Sequence, residues 1–290
     1  MIIRHILPAA VLILLIMGGC KNQGDHSSNG GHIVMQLKHT IDNQDIDFDE
    51  LIYTNQAGNQ YMVTEIQWFL SDLTLHRSKG ESIKITGNSG CFYVDTDLQG
   101  SLIIAPAEII PAGTYTGISF TFGINEQKNI SGLFVNPPES FMFWPEYLGG
   151  GYHYMKLNGK WINPEGQTEP FNFHLGIGQE YAEDTGKAAV QQFGESRQYD
   201  HCEGYQPPQK LNTVAGFIQN YFSVEFNDLN FTIADGSTQS FELEMKVDNW
   251  FKSPHVYDHN QWGGSIMQQQ EAMQQGCENG RNVFVIRPLQ

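Results

Sequence analysis

From Phe141 to Gly176 the chain reads FMFWPEYLGGGYHYMKLNGKW, then a polar turn, then FNFHLG, and nowhere else are Trp, Tyr, His and Met so dense. Pro137, Pro138 and Pro145 break the approach to this stretch. Proline lacks the backbone N–H and fixes φ, so Phe141 to Trp144 must lie in a loop or a very short strand and not in a helix. Two aromatic strands joined by a Gly/Asn/Pro-rich connection follow, with either packing or a soft-metal site between them. Strict alternation puts His153 and Met155 on one face, with Tyr152, Tyr154 and Lys156 on the other. Imidazole and thioether together suit copper better than calcium or magnesium, which want oxygen ligands. In FNFHLG, Phe171, Phe173 and Leu175 share the apolar face, leaving Asn172 and His174 on the other.

The same period of two recurs along the chain. HIVMQLKHTI alternates Ile33, Met35, Leu37 and His39 against Val34, Gln36 and Lys38, so His39 shares an apolar face. TEIQWFLSDLTLH places Ile66, Trp68 and Leu70 together, then shifts phase at Ser71 and Asp72 as a bulge requires, with Trp68 in the core. YTGISFTFGI and FELEMK continue the pattern. Residues 179–211 turn polar and irregular and read as a long insertion with a short helix near 186–193. Near the end, Ser265 to Gln275 reads as a helix stopped by Gly276, with Met267 and Met273 packing on the core. No HExxH, paired CxxC, GxSxG or phosphate-binding loop occurs, so those enzyme classes lack support and a binding role is expected.

The first residues carry an address. Arg4 and His5 precede the apolar run ILPAAVLILLIMGG, which ends at Cys20; this describes a secretory signal, too short to be a membrane-spanning helix. Gly18 and Gly19 directly before Cys20 resemble a bacterial lipoprotein cleavage site. Residues 1–19 are then a leader, Cys20 the lipidated residue, and 20–32 a flexible tether to one domain over 33–290. The formal charge is −16, and removing the leader takes away Arg4 and no acid, leaving −17. Such a surface argues against nucleic acid and anionic membrane as partners. Of the other cysteines, Cys91 heads the strand-like CFYVD, whereas Cys202 and Cys277 lie in polar, Gly-containing segments and are the expected disulfide pair in an oxidising compartment.

Taken in serial order, KHTIDNQDI, LIYTNQAGNQYMVTEIQWFLSDLTL, IPAGTYTGISFTFGIN, MFWPEYLGGGYHYMKLNG, FNFHLG and the closing VDNWFKSPHVYDHN resemble the MbnP-like copper-binding family of secreted bacterial proteins, in its Bacteroidetes-type form. The resemblance implies an all-β protein that binds one copper ion and is often encoded beside a di-haem peroxidase-like partner. In characterised relatives that partner oxidises a tryptophan to kynurenine within the copper site. Residue by residue, the resemblance implies His39 and His174 as ligands and matches Trp144 to the first tryptophan of the family's MxWxW segment, which makes it the modified residue if the first of the pair is the one oxidised. The second tryptophan of the family's MxWxW segment is replaced by Glu146, with Tyr147 beside it. His153 stands where the family leads one to expect Lys or another non-ligand, and it stays a third candidate on its own strand pattern.

The expected architecture is all-β: an antiparallel β-sandwich of Greek-key type with the polar insertion and one C-terminal helix. The leading expectation for function is a lipid-anchored copper carrier or sequestering protein of the cell envelope, periplasmic or on the outer-membrane surface, and not a catalyst. The alternative is a metal-free surface module that contacts a glycan or protein through exposed Trp144, Tyr147, Tyr152 and Trp161.

Overall fold

The computed structural model describes residues 30–182 and 214–289. The leader, Cys20, Cys202 and the expected helix near 186–193 lie outside the described residues.

The principal elements are β1 (Gly30–Ile41), β2 (Gln60–Arg77), β3 (Cys91–Asp95), β4 (Gly113–Phe122), β5 (Met155–Ile162), β6 (Thr168–Leu175), β7 (Gly178–Tyr181), β8 (Val214–Ile218), β9 (Phe222–Phe226), β10 (Phe231–Ile233), β11 (Thr238–Lys246) and β12 (Phe284–Leu289). Two helices, α1 (His259–Trp262) and α2 (Gln270–Gly280), fall between β11 and β12. One sheet carries β12, β11 and β1 in that order; the larger one runs β6-β5-β2-β4-β9, with β3 along the other edge of β2. β7 and β8 pair beside the two sheets and bracket residues 183–213.

The sandwich is closed by the apolar faces that alternation generates. Met35 and Leu37 of β1, Leu243 and Met245 of β11, and Trp68 of β2 are all buried in one cluster. Trp68 stacks on Phe122 at 6.2 Å and meets Phe284 of the opposite sheet at 5.3 Å. Most pairings are antiparallel, as expected, but β1 and β11 run parallel from His32↔Thr238 to Thr40↔Lys246. No hairpin links strands some 200 residues apart, so turn geometry does not dictate their direction.

The phase shift expected in β2 is present. The register with β4 slips between Ser71 and Thr74, and Asp72 takes a left-handed φ of 55°. The helix boundaries differ from expectation: α2 starts at Gln270, and Gly276 lies inside it. A Cβ at Gly276 would come 2.7 Å from the Phe173 ring, so this glycine permits close packing of α2 on β6 and does not end the helix. Met273 is fully buried, and Met267 packs at the edge of the same core.

Candidate metal centre

Register in the larger sheet decides which residues share its outer face. His174 of β6 stands opposite Lys156 of β5, Lys156 opposite Gln67 of β2, and Gln67 opposite Asp95 of β3. One step along, Leu175, Met155, Trp68 and Val94 form the matching row, and all four are in the core. His174 therefore points away from the sandwich interior, as FNFHLG implies.

His153 reaches the same place by a different route. Gly149, Gly150 and Gly151 all take positive φ (119°, 69° and 76°), turning the chain back so that Phe143 bridges Tyr152. β5 begins only at Met155, so pleated alternation does not extend back to His153. Met155 faces the core, and the expected His153/Met155 pair is not made. The His153 and His174 rings instead lie 5.1 Å apart between centroids, nearly perpendicular at 85°. Trp144 packs edge-on against His153 at 4.6 Å. It is completely buried, and its indole N–H donates to the Leu148 carbonyl at 3.1 Å. Gly176 makes room for it, since a Cβ there would sit 2.6 Å from the Trp144 ring.

Each imidazole has one nitrogen committed and one available. His153 Nδ1 lies 2.9 Å from the Met142 carbonyl, which can only accept, so Nδ1 carries the proton and Nε2 keeps its lone pair. His174 Nε2 lies 2.8 Å from Asn158 Oδ1, leaving Nδ1 as the lone-pair nitrogen. That Nδ1 is fully enclosed and has no hydrogen-bond partner among the described residues. Buried polar atoms nearly always find partners, so the orphan marks a place where a further group belongs. Burial lowers the His153 pKa to about 3 and that of His174 to about 2, with the Lys156 charge acting in the same direction on both. Both rings are neutral at pH 7, the form a metal requires. Two neutral imidazoles, each oriented through its second nitrogen, are a donor set that fits copper.

His39 is elsewhere. It projects between the sheets, where its Nε2 accepts the Trp68 indole N–H at 3.0 Å. Trp68 and His174 lie on opposite faces of the larger sheet, so that sheet separates His39 from His174. The pairing of His39 with His174 is thereby corrected: the imidazole beside His174 belongs to His153. Period-two spacing had singled out His153, but the partner it suggested, Met155, lies on the wrong face.

Of the four aromatic residues expected on a glycan- or protein-contacting face, Trp144, Tyr152 and Trp161 are buried and Tyr147, at 70% exposure, faces solvent. Among the described residues Cys277 has no disulfide partner; its Sγ lies 3.1 Å from the Asn220 carbonyl oxygen, and burial pushes the thiol pKa up to about 12. Its expected partner Cys202 lies outside the described residues. A trio of carboxylates, Glu65, Asp95 and Asp97, also gathers on the outer face with oxygens within 4.8 Å of one another. An all-carboxylate set of this kind suits magnesium, calcium or manganese. An open groove lined by Phe92, Tyr93, Leu133 and Val135 contains neither histidine of the pair.

A family model for MbnP matches residues 30–268. Among solved structures, MbnP from Methylosinus trichosporium aligns at 15% identity with a TM-score of 0.48, over 89% of this chain and 99% of that one. No curated protein matches the sequence.

Proposed function

Because the chain belongs to the MbnP family, which is linked to copper, we propose that it binds one copper ion between His153 and His174. The observation that carries this reading is the orphaned, enclosed Nδ1 of His174 beside a second imidazole whose Nδ1–H is held by the Met142 carbonyl, which leaves its Nε2 lone pair free. Copper's preference for nitrogen donors is what the pair would satisfy. His153 and His174 bind, Met142 and Asn158 orient, and Trp144 with Gly176 closes one side against water. The role is storage or transfer of the ion at the cell envelope, with the chain held by lipid at Cys20.

In the same proposal Trp144 is the tryptophan that a di-haem peroxidase-like partner oxidises to kynurenine, adding a nitrogen donor beside His153. Mass spectrometry of the Trp144 peptide from native-host protein tests this part, and an unmodified mass would remove it.

The copper reading is tested by metal analysis and titration calorimetry on wild type, His153→Ala, His174→Ala and His39→Ala. Wild type and His39→Ala should each hold one ion. The two site variants should bind at least about 100-fold more weakly, because even second-shell changes commonly cost 10–100-fold. Wild-type affinity in both His153→Ala and His174→Ala would sink the assignment.

A further inference from the structure

The larger sheet carries a second device on its outer face, behind His174. Asn158 of β5 is the diagonal neighbour of His174 across the β5/β6 pair and stands directly opposite Glu65 of β2. Asn158 Oδ1 faces His174 Nε2 at 2.8 Å, while Asn158 Nδ2 donates to Glu65 Oε2 at 3.1 Å. An amide offers one accepting end and one donating end, and which end faces a neighbour is set by its other partners. An ionised carboxylate can only accept. Glu65 therefore forces the NH2 end of Asn158 toward itself and the oxygen toward His174. The oxygen in turn requires the proton of His174 on Nε2 and leaves the lone pair on Nδ1, the enclosed atom without a partner among the described residues.

We propose that Glu65 and Asn158 are positioning residues that hold His174 in its Nε2–H tautomer and so select Nδ1 as the copper-binding nitrogen. The direction of binding by His174 is thus decided two residues away from the metal. The proposal rests on the copper reading for its purpose, but the tautomer itself is a property of the metal-free protein.

Glu65→Gln keeps the shape and removes the direction, because a glutamine can donate as well as accept. The Asn158 amide is then free to turn over, and its NH2 end facing His174 Nε2 demands the Nδ1–H tautomer. In the double variant Glu65→Gln/Asn158→Asp, the carboxylate placed at position 158 accepts from both sides, from the new glutamine and from His174 Nε2–H. The order is restored with the charge moved by one residue.

The test is nitrogen-15 NMR of the His174 ring in copper-free full-length protein, alongside copper affinity for the same three proteins. Wild type should show the Nε2–H form alone, Glu65→Gln should show both tautomers with copper bound about 10–100-fold more weakly, and the double variant should recover the wild-type tautomer and affinity. Thermal unfolding of each variant identifies simple loss of fold, which the double variant would not repair. A single Nε2–H tautomer in Glu65→Gln overturns the positioning role while leaving wild-type copper binding as it was found. Tautomer switching in Glu65→Gln, alongside a wild-type protein that binds no copper, would instead retain the relay and remove the copper reading beneath it.

Discussion

His39 and His174 are both histidines on strands, yet their surroundings assign them opposite work. His39 Nε2 is the acceptor for an indole N–H whose ring is 1% exposed. Replacing His39 by Leu leaves the Trp68 donor unpaired, at a cost of about 1–3 kcal/mol. Chemical denaturation should show this loss, with copper stoichiometry unchanged. Gly176 acts at the same scale by the absence of a side chain. Gly176→Ala would place a methyl 2.6 Å from Trp144, and overpacking of this kind costs about 1–3 kcal/mol. We expect reduced stability, a shift in tryptophan fluorescence as Trp144 is displaced, and weaker copper binding from the same variant. FNFHLG showed which way His174 points, because alternation is a local property. That His153 is its neighbour was not legible, since it depends on a three-glycine turn and on where β5 begins.

At the scale of elements, the bulge in β2 and the seating of α2 carry the argument. Asp72 sits at the bulge with left-handed backbone, and Lys84 and Lys128 each approach its carboxylate at 2.8 Å. Burial opposes its charge, but hydrogen bonds from Lys128, Lys84 and Asn125 outweigh this and hold the pKa at about 2. The phase slip in SDLTL was visible in the sequence, whereas the lysines that neutralise it come from separate segments. Gly276 provides a sharper contrast. Glycine inside a helix ordinarily costs up to about 1 kcal/mol relative to alanine, so propensity alone favours Gly276→Ala. The Phe173 ring 2.7 Å from the added methyl reverses the sign, since overpacking by about 1–3 kcal/mol exceeds that gain. Thermal unfolding of Gly276→Ala should therefore show a lower midpoint. An expectation built on glycine as a helix stop could not see this, because the contact is made with β6.

For the whole molecule, the decisive quantity is the number of histidines kept neutral inside. Burial lowers His39 to about 4, His153 to about 3, His174 to about 2 and His259 to about 3. His259 is fully buried, 4.4 Å from the Phe171 ring, and neither of its nitrogens has a partner among the described residues. In the unfolded chain these rings take up protons near pH 6.5. Between that pH and the folded values the unfolded state binds more protons, so stability is greatest above pH 6.5 and falls as the solution is acidified. Each group contributes up to about 1.4 kcal/mol per pH unit in that window. His259→Phe should remove one such contribution: the copper-free variant should gain more stability over wild type at pH 5 than at pH 8. An equal gain at both values would refute the linkage. Copper held by the folded state alone should raise the unfolding midpoint with concentration, and this shift should vanish in His174→Ala.

By itself the sequence determined the class of fold and the face of most strands, because apolar alternation, proline and glycine punctuation and the bulge at Asp72 act over a few neighbouring residues. It also determined membership of a copper-linked family, through motifs in serial order across residues 30–268. Tertiary structure alone decided that β1 and β11 run parallel, that the larger sheet separates His39 from His174, and that His153 and His174 meet beside Trp144. The reason is geometric. Moving a strand pairing by one residue sends every side chain to the opposite face, and that register is set between segments far apart in the chain.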